Sequence, residues 1–163
     1  MTKRAILAAC AALLLTLAAS PASAQIVRMT AKLSGGNETP AKIVTGAFGN
    51  AECTVNLGKG GEINCTGSVF NLPSGATVGH IHAGAVDVSG PTVCNANLTP
   101  NVSNDFSFTI GPCTAATITL RAEQGIRSFE DFLQAVLGEN TYVNVHSTVN
   151  QGGEVRGQLV LKP

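Results

Sequence analysis

The chain has 163 residues, with 10 basic and 10 acidic side chains, zero formal charge and only 12% charged residues. Without a basic patch or a block of like charge, it lacks the electrostatic footprint that nucleic acid or an anionic membrane surface demands. Six phenylalanines, one tyrosine and no tryptophan are too few for an aromatic platform that stacks bases or sugar rings.

The first 24 residues read as a leader. Lys3 and Arg4 form a positive start, Ala5 to Ala19 an apolar run too short to span a bilayer comfortably, and Ala22-Ser23-Ala24 a small-residue cleavage site. Leu7-Ala8-Ala9-Cys10 offers a rival, a lipoprotein signal acylated at Cys10, but the apolar run continues beyond it. The expectation is therefore a signal peptide over 1–24, cleavage after Ala24, and a secreted or periplasmic chain over 25–163. Loss of Lys3 and Arg4 leaves 8 basic against 10 acidic residues. No later apolar segment is long enough for a transmembrane helix.

Short alternating runs follow, separated by Gly, Asn and Pro. Ile26 to Leu33 sets Val27, Met29, Ala31 and Leu33 against Arg28, Thr30 and Lys32, and Ser34-Gly35-Gly36-Asn37 ends it. Thr45 to Leu57 and Glu62 to Phe70 flank Gly58-Lys59-Gly60-Gly61 as a hairpin. Thr77 to Ala83, Thr92 to Leu98, Phe106 to Ile110 and Ala116 to Ala122 read as further strands. One helix interrupts them. Ser128 caps it with Asp131 as capping-box acid, Phe129, Phe132, Leu133, Val136 and Leu137 form one apolar stripe, and Gly138 is expected as the C′ stop. At about two and a half turns it needs tertiary support, and is expected to plug an open end of the fold. Thr141 to Thr148 and Glu154 to Leu161 close the chain as a hairpin. Its polar side chains, Tyr142, Asn144, His146, Glu154, Arg156 and Gln158, are expected to face outward.

These elements predict an all-β Greek-key sandwich, immunoglobulin-like or superoxide dismutase-like, with one short α-helix. An even set of four cysteines in an exported chain predicts disulfides. Of three possible pairings, the hairpins favour Cys53–Cys65 and Cys94–Cys113.

Several segments, in order, resemble the CHRD domain, named for chordin. They are Leu33-Ser34-Gly35-Gly36-Asn37-Glu38-Thr39-Pro40; Val69-Phe70-Asn71-Leu72 before His80-Ile81-His82-Ala83-Gly84 and Gly90-Pro91; Phe132-Leu133-Gln134 leading to Asn140-Thr141-Tyr142-Val143-Asn144-Val145-His146-Ser147; and Gly152-Gly153-Glu154-Val155-Arg156-Gly157-Gln158-Leu159. Gln151 stands where the family often has proline, and the cysteines look like a local addition. The resemblance implies a secreted β-sandwich; carrying over chordin's antagonism of growth factors would be fold-level analogy.

The only three histidines carry the most specific chemistry. His80 and His82 share one strand face about 7 Å apart. His146 lies on a strand able to approach them, with Glu38, Glu154 and Arg156 as a supporting or binding shell. A His-x-His pair plus a distant strand histidine is similar to the copper site of Cu/Zn superoxide dismutase, and three imidazoles suit copper or zinc. The competing reading is a hydrogen-bonded lock on the loop from Ala83 to Pro91. No catalytic constellation emerges: G-x-S-x-G is absent, Glu130-Asp131 sit at a helix start, and Ser34, Ser89 and Ser147 have no defined base. The functional expectation is a non-enzymatic binding or structural module whose partner is a protein or cell-envelope component, with a copper- or zinc-binding protein as the alternative.

Overall fold

A computed structural model describes residues 25–58 and 60–163. The leader reading, with cleavage after Ala24 and the rival acylation of Cys10, lies outside the described residues. Among the described residues, nine strands and one α-helix follow in the order β1 (Ile26–Ser34), β2 (Phe48–Asn56), β3 (Glu62–Leu72), β4 (Ala76–Ala83), β5 (Thr92–Asn97), β6 (Asn104–Cys113), α1 (Phe129–Leu137), β7 (Thr141–Ser147), β8 (Val155–Gln158) and β9 (Val160–Leu161).

The strands pair in the order β2-β3-β6-β5-β4-β7-β8-β1, β9 adds to β1, and β1 pairs again with β2. That second pairing closes the sheet. The expected Greek-key sandwich is thus corrected to a closed, antiparallel eight-strand barrel. Eight strands enclose an interior just wide enough for side chains to fill. Met29, Leu33, Val55, Ile63, Val69, Leu72, Ile81, Ile110, Val143, Val145, Val155 and Leu159 are buried in its core. Alternation in β1 to β3 appears in the structure as read, with inward residues buried and their neighbours at least partly exposed.

Closure between β8 and β1 is tight. Ser34 pairs with Arg156, and a Cβ placed on Gly157 would lie 2.5 Å from the Lys32 carbonyl oxygen. Glycine is required here because two backbones approach closer than a side chain allows.

Both disulfides form as expected. Cys53 and Cys65 face each other directly across β2–β3, and Cys94 of β5 joins Cys113 at the end of β6. The strand expected over Ala116 to Ala122 does not form. That segment is turn, with only an isolated bridge between Arg121 and Ile126 and a short 3₁₀ turn at Ala122–Gln124. Thr114 and Thr117 hydroxyls supply local hydrogen bonds that compete with strand pairing.

The helix matches its predicted span. Ser128 Oγ accepts from Asp131 N–H, while Asp131 reaches one residue beyond the expected box to accept from Arg127 N–H. At the C-terminus Glu139, not Gly138, takes the left-handed conformation, with φ 58°. Glu139 N–H bonds to Val136 and Asn140 N–H to Ala135, the Schellman pattern shifted by one residue. Phe132, Leu133 and Val136 are buried, and Phe129 and Leu133 close over the turn between β2 and β3, where a Cβ on Gly61 would touch both.

Replacing Gly157 by Ala forces β8 from β1. Urea denaturation should show a loss of about 1–3 kcal/mol, the usual cost of overpacking. Gly152, whose Cβ would meet nothing within 4 Å, should tolerate Ala within about 0.5 kcal/mol.

Candidate functional site

Antiparallel pairing of β4 with β7 sets His80 opposite Asn144 and His82 opposite Tyr142. A register irregularity in β4 between Ala76 and Gly79 lies at the level of His146 and brings that residue toward His80. One ring nitrogen from each of His80, His82 and His146 falls within 4.8 Å of the other two. His80 Nδ1 and His146 Nε2 are 3.3 Å apart. The expected convergence of the three imidazoles is present in the geometry.

The tautomers follow from the partners. His82 Nδ1 lies 2.9 Å from the Gly90 carbonyl and His146 Nδ1 2.8 Å from the Gln151 carbonyl. A carbonyl only accepts, so both Nδ1 atoms carry hydrogen and both Nε2 atoms carry lone pairs. His82 Nε2 is buried with no hydrogen-bond partner. His80 Nδ1–H then donates to His146 Nε2.

The outward face is not solvated as expected. Every residue of β7 is buried, and His82, Asn144, His146 and Arg156 are at most 9% exposed. Two loops roof this face. The 35–47 loop folds back through a bond from Ile43 N–H to Gly35 O, and the 84–91 loop is pinned by Ala83 N–H to Pro91 O. Ser89 Oγ donates to Thr39 O at 2.7 Å and joins the two loops, with an exposed Lys42–Asp87 ion pair beside it.

Arg156 holds the roof from below. Its Nη2 donates to Ala85 O and Val88 O, and its guanidinium lies 3.5 Å from the Tyr142 ring centroid. Tyr142 also stacks on His82, with centroids 4.8 Å apart and planes 6° from parallel. Its hydroxyl accepts from Gly90 N–H and donates to Gly90 O, the carbonyl that orients His82. Tyr142 and Gly90 were missing from the sequence-derived site. Tyr142 was visible only as a residue sharing alternate positions with Asn144 and His146; the role of a backbone carbonyl leaves no mark in sequence.

The two carboxylates do not join the nitrogen cluster. Glu38 is buried and accepts two bonds from Asn144 Nδ2, at 3.1 and 3.2 Å. Gly153, with φ 140°, makes room for it, since a Cβ there would stand 2.6 Å from Glu38 Oε2. Glu154 is fully buried and accepts from Ser147 Oγ at 2.8 Å and from Asn150 Nδ2, locking the β7–β8 turn. Its carboxylate thus locks the turn next to His146, the residue it faces across the β7–β8 pairing.

Burial without an opposite charge sets the protonation states. Desolvation, then the neighbouring His146, lowers His80 to about 4. Desolvation lowers His82 to about 4 as well, against the Gly90 bond that raises it, and burial also lowers His146. Desolvation raises Glu38 to about 7, opposed by the Asn144 bond and by Arg156. Burial alone would raise Glu154, but hydrogen bonds from Thr45, Asn150 and Ser147 hold it below its usual value. The site at neutral pH is thus three neutral imidazoles, a ligand set that suits a borderline transition metal.

A family model described as the CHRD domain matches residues 29–159. Neither the curated proteins nor the solved structures gave a match. The match runs from β1 through the end of β8 and covers most of the chain: the chain belongs to the CHRD-domain family. Disulfides and this membership fit an extracellular location, and no helix among the described residues is long and apolar enough to cross a membrane.

Two outcomes follow for the ion-free protein. His82→Ala loses a buried bond and a ring stack, so chemical denaturation should register about 1–3 kcal/mol; the less deeply buried His80→Ala should cost under about 1 kcal/mol. The pH terms oppose each other. Unfolding lets His80 and His82 take up protons, so their contribution disappears as pH falls from 6.5 through about 4. Glu38 holds a proton that the unfolded chain releases, so its contribution disappears as pH rises from 4.5 through about 7. Glu38→Gln should accordingly gain about 2–3 kcal/mol over the parent at pH 8 relative to pH 5, read from paired urea midpoints.

Proposed function

We propose that this CHRD-domain protein is an exported, non-enzymatic binding module that takes one copper or zinc ion at His80, His82 and His146. The observation that carries the reading is the orientation of the nitrogens. Two rings have their Nδ1 hydrogens fixed by backbone carbonyls, which turns both Nε2 lone pairs toward the cluster, that of His82 without a partner and that of His146 bonded to His80. Two nitrogens bound at 2.0–2.1 Å and at the tetrahedral angle stand about 3.3–3.4 Å apart. The His80–His146 separation of 3.3 Å already has that value. The remaining separations, up to 4.8 Å, need modest ring rotation toward a shared centre.

An ion would take the place of the His80 Nδ1 hydrogen that now bridges to His146, that hydrogen passing to Nε2 of the same neutral ring by exchange with solvent, and it would satisfy the orphaned His82 Nε2. Arg156 and Tyr142 act as positioning residues: the first fixes the 84–91 loop, the second presses on the His82 ring. No carboxylate in the cluster is available as a general base, which supports holding of an ion rather than hydrolysis. Ser89 and Ser147 donate their hydroxyl protons to Thr39 O and Glu154, so neither is paired with a histidine as a nucleophile. A protein or cell-envelope component remains the proposed partner of the module as a whole, supported by the CHRD family membership and the disulfide-stapled wall.

Calorimetric titration of the chelator-stripped mature chain with copper(II) and with zinc(II) tests the site. One ion per chain is expected, with unfolding stabilised by about 2.7 kcal/mol at a free metal concentration of 100 times Kd. His80→Ala and His146→Ala should each abolish stoichiometric uptake, and Glu38→Gln should leave it intact. Uptake that survives His146→Ala, or no uptake of either metal by the parent, would overturn the proposal.

A further inference from the structure

The wall of the barrel opposite the histidines is built from β1, β2, β3 and β6, with β5 at its margin. Its outer surface is hollowed into a depression of about 640 Å³. The outside of a closed barrel curves outward, so a hollow there needs short side chains at the centre and longer ones around them. The register provides this. Asn50, Ser68 and Ser107 line up across three strands, and Glu52, Thr66 and Thr109 form a second row beside them. Lys32, opposite Asn50, extends the first row to the rim. Between the rows lies Gly67, an inward position where a Cβ would come 2.3 Å from the buried Phe108 ring, so at this point the floor of the hollow is backbone, with only the short Thr66 and Ser68 side chains beside it.

The spacing is regular. Neighbours within a row stand one strand apart, about 4.8 Å, and the rows are two residues apart, about 6.7 Å. Ser68 and Ser107 hydroxyls bond at 3.1 Å and fix one point of the array. The Cys53–Cys65 bridge ties β2 to β3 beneath it. Such a wall offers a pre-ordered surface, which lowers the ordering cost of binding.

The chemistry of the array selects its ligand. Serine, threonine and asparagine side chains each both donate and accept. The partner that matches many such groups is one with hydroxyls at short intervals. Lys162 pairs with Glu52 at 2.8 Å, which leaves Lys32 as the single cation of the lining, too little charge to attract a polyanion. A peptide adding by strand pairing needs a free edge, and this is the outer face of paired strands in a closed barrel. We infer that the depression on β1, β2, β3 and β6 binds a neutral oligosaccharide through hydrogen bonds from its side-chain rows, independently of the histidine cluster.

Amide-resolved NMR titration of the mature chain tests this, with cellohexaose, laminarihexaose, xylohexaose and chitohexaose as separate probes. At least one should shift amides at positions 50, 52, 66, 68, 107 and 109, with a Kd at or below about 10 mM. The exposed double variant Asn50→Ala/Thr109→Ala should weaken that binding by about tenfold or more. Thr66→Arg, which fills the hollow, should abolish it while the remaining spectrum confirms the fold. His80→Ala should bind the same sugar unchanged. No shift with any probe at about 10 mM, shifts that map elsewhere, or binding that survives Thr66→Arg would overturn the inference.

Discussion

Strand β7 is buried along its whole length and on both faces. In a closed barrel only one face of a strand can fill the interior, here through Val143 and Val145. The other face carries Tyr142, Asn144 and His146, all polar and all removed from water. Each buried polar group must find a partner or cost about 1–3 kcal/mol. The 35–47 and 84–91 loops and the β7–β8 turn exist in their observed form because they supply those partners: Glu38 to Asn144, Gly90 to Tyr142 and His82, and Gln151 to His146. The roof and the site are the same construction.

That construction leaves a specific residue of unsatisfied chemistry. His82 Nε2, Asn144 Oδ1 and one oxygen of Glu154 remain buried without partners. The imidazoles are kept neutral, and Glu38 is made to hold its proton up to about pH 7, by the same cause, desolvation. Burial pushes a cationic acid and a neutral acid in opposite directions, since it disfavours whichever form is charged. Near neutral pH the full charges of this face are the hydrogen-bonded Glu154 carboxylate and Arg156, whose guanidinium lies over the Tyr142 ring and donates to two loop carbonyls.

The two sides of the barrel differ for a structural reason. β4, β7 and β8 are covered by long connections, so their outward side chains meet protein. β2, β3 and β6 are joined to no such cover, and their outward serines, threonines and asparagines meet solvent in ordered rows. The Cys53–Cys65 bridge lies in this second wall and the Cys94–Cys113 bridge at its margin, whereas the roofed wall is held by buried hydrogen bonds.

Sequence alone determined what depends on neighbours in the chain. Period-two alternation located β1 to β6, the helical stripe and Ser128 located α1, and the hairpins selected both disulfides, because each signal is local. The strand expected over Ala116 to Ala122 failed because side-chain hydroxyls of Thr114 and Thr117 compete locally with pairing. Gly138 gave the position of the helix stop but not the residue that turns left-handed, because the Schellman bonds are formed by the residues after it. The same alternation placed His80, His82 and His146 on matching faces, and so the cluster was legible before any coordinates. Whether that face met water was not. Barrel closure through the β1–β2 pairing, the roof over β7, and the carbonyls of Gly90 and Gln151 arise between residues far apart in the chain. An alternating pattern states which side chains share a face; only the tertiary structure decides what lies against it.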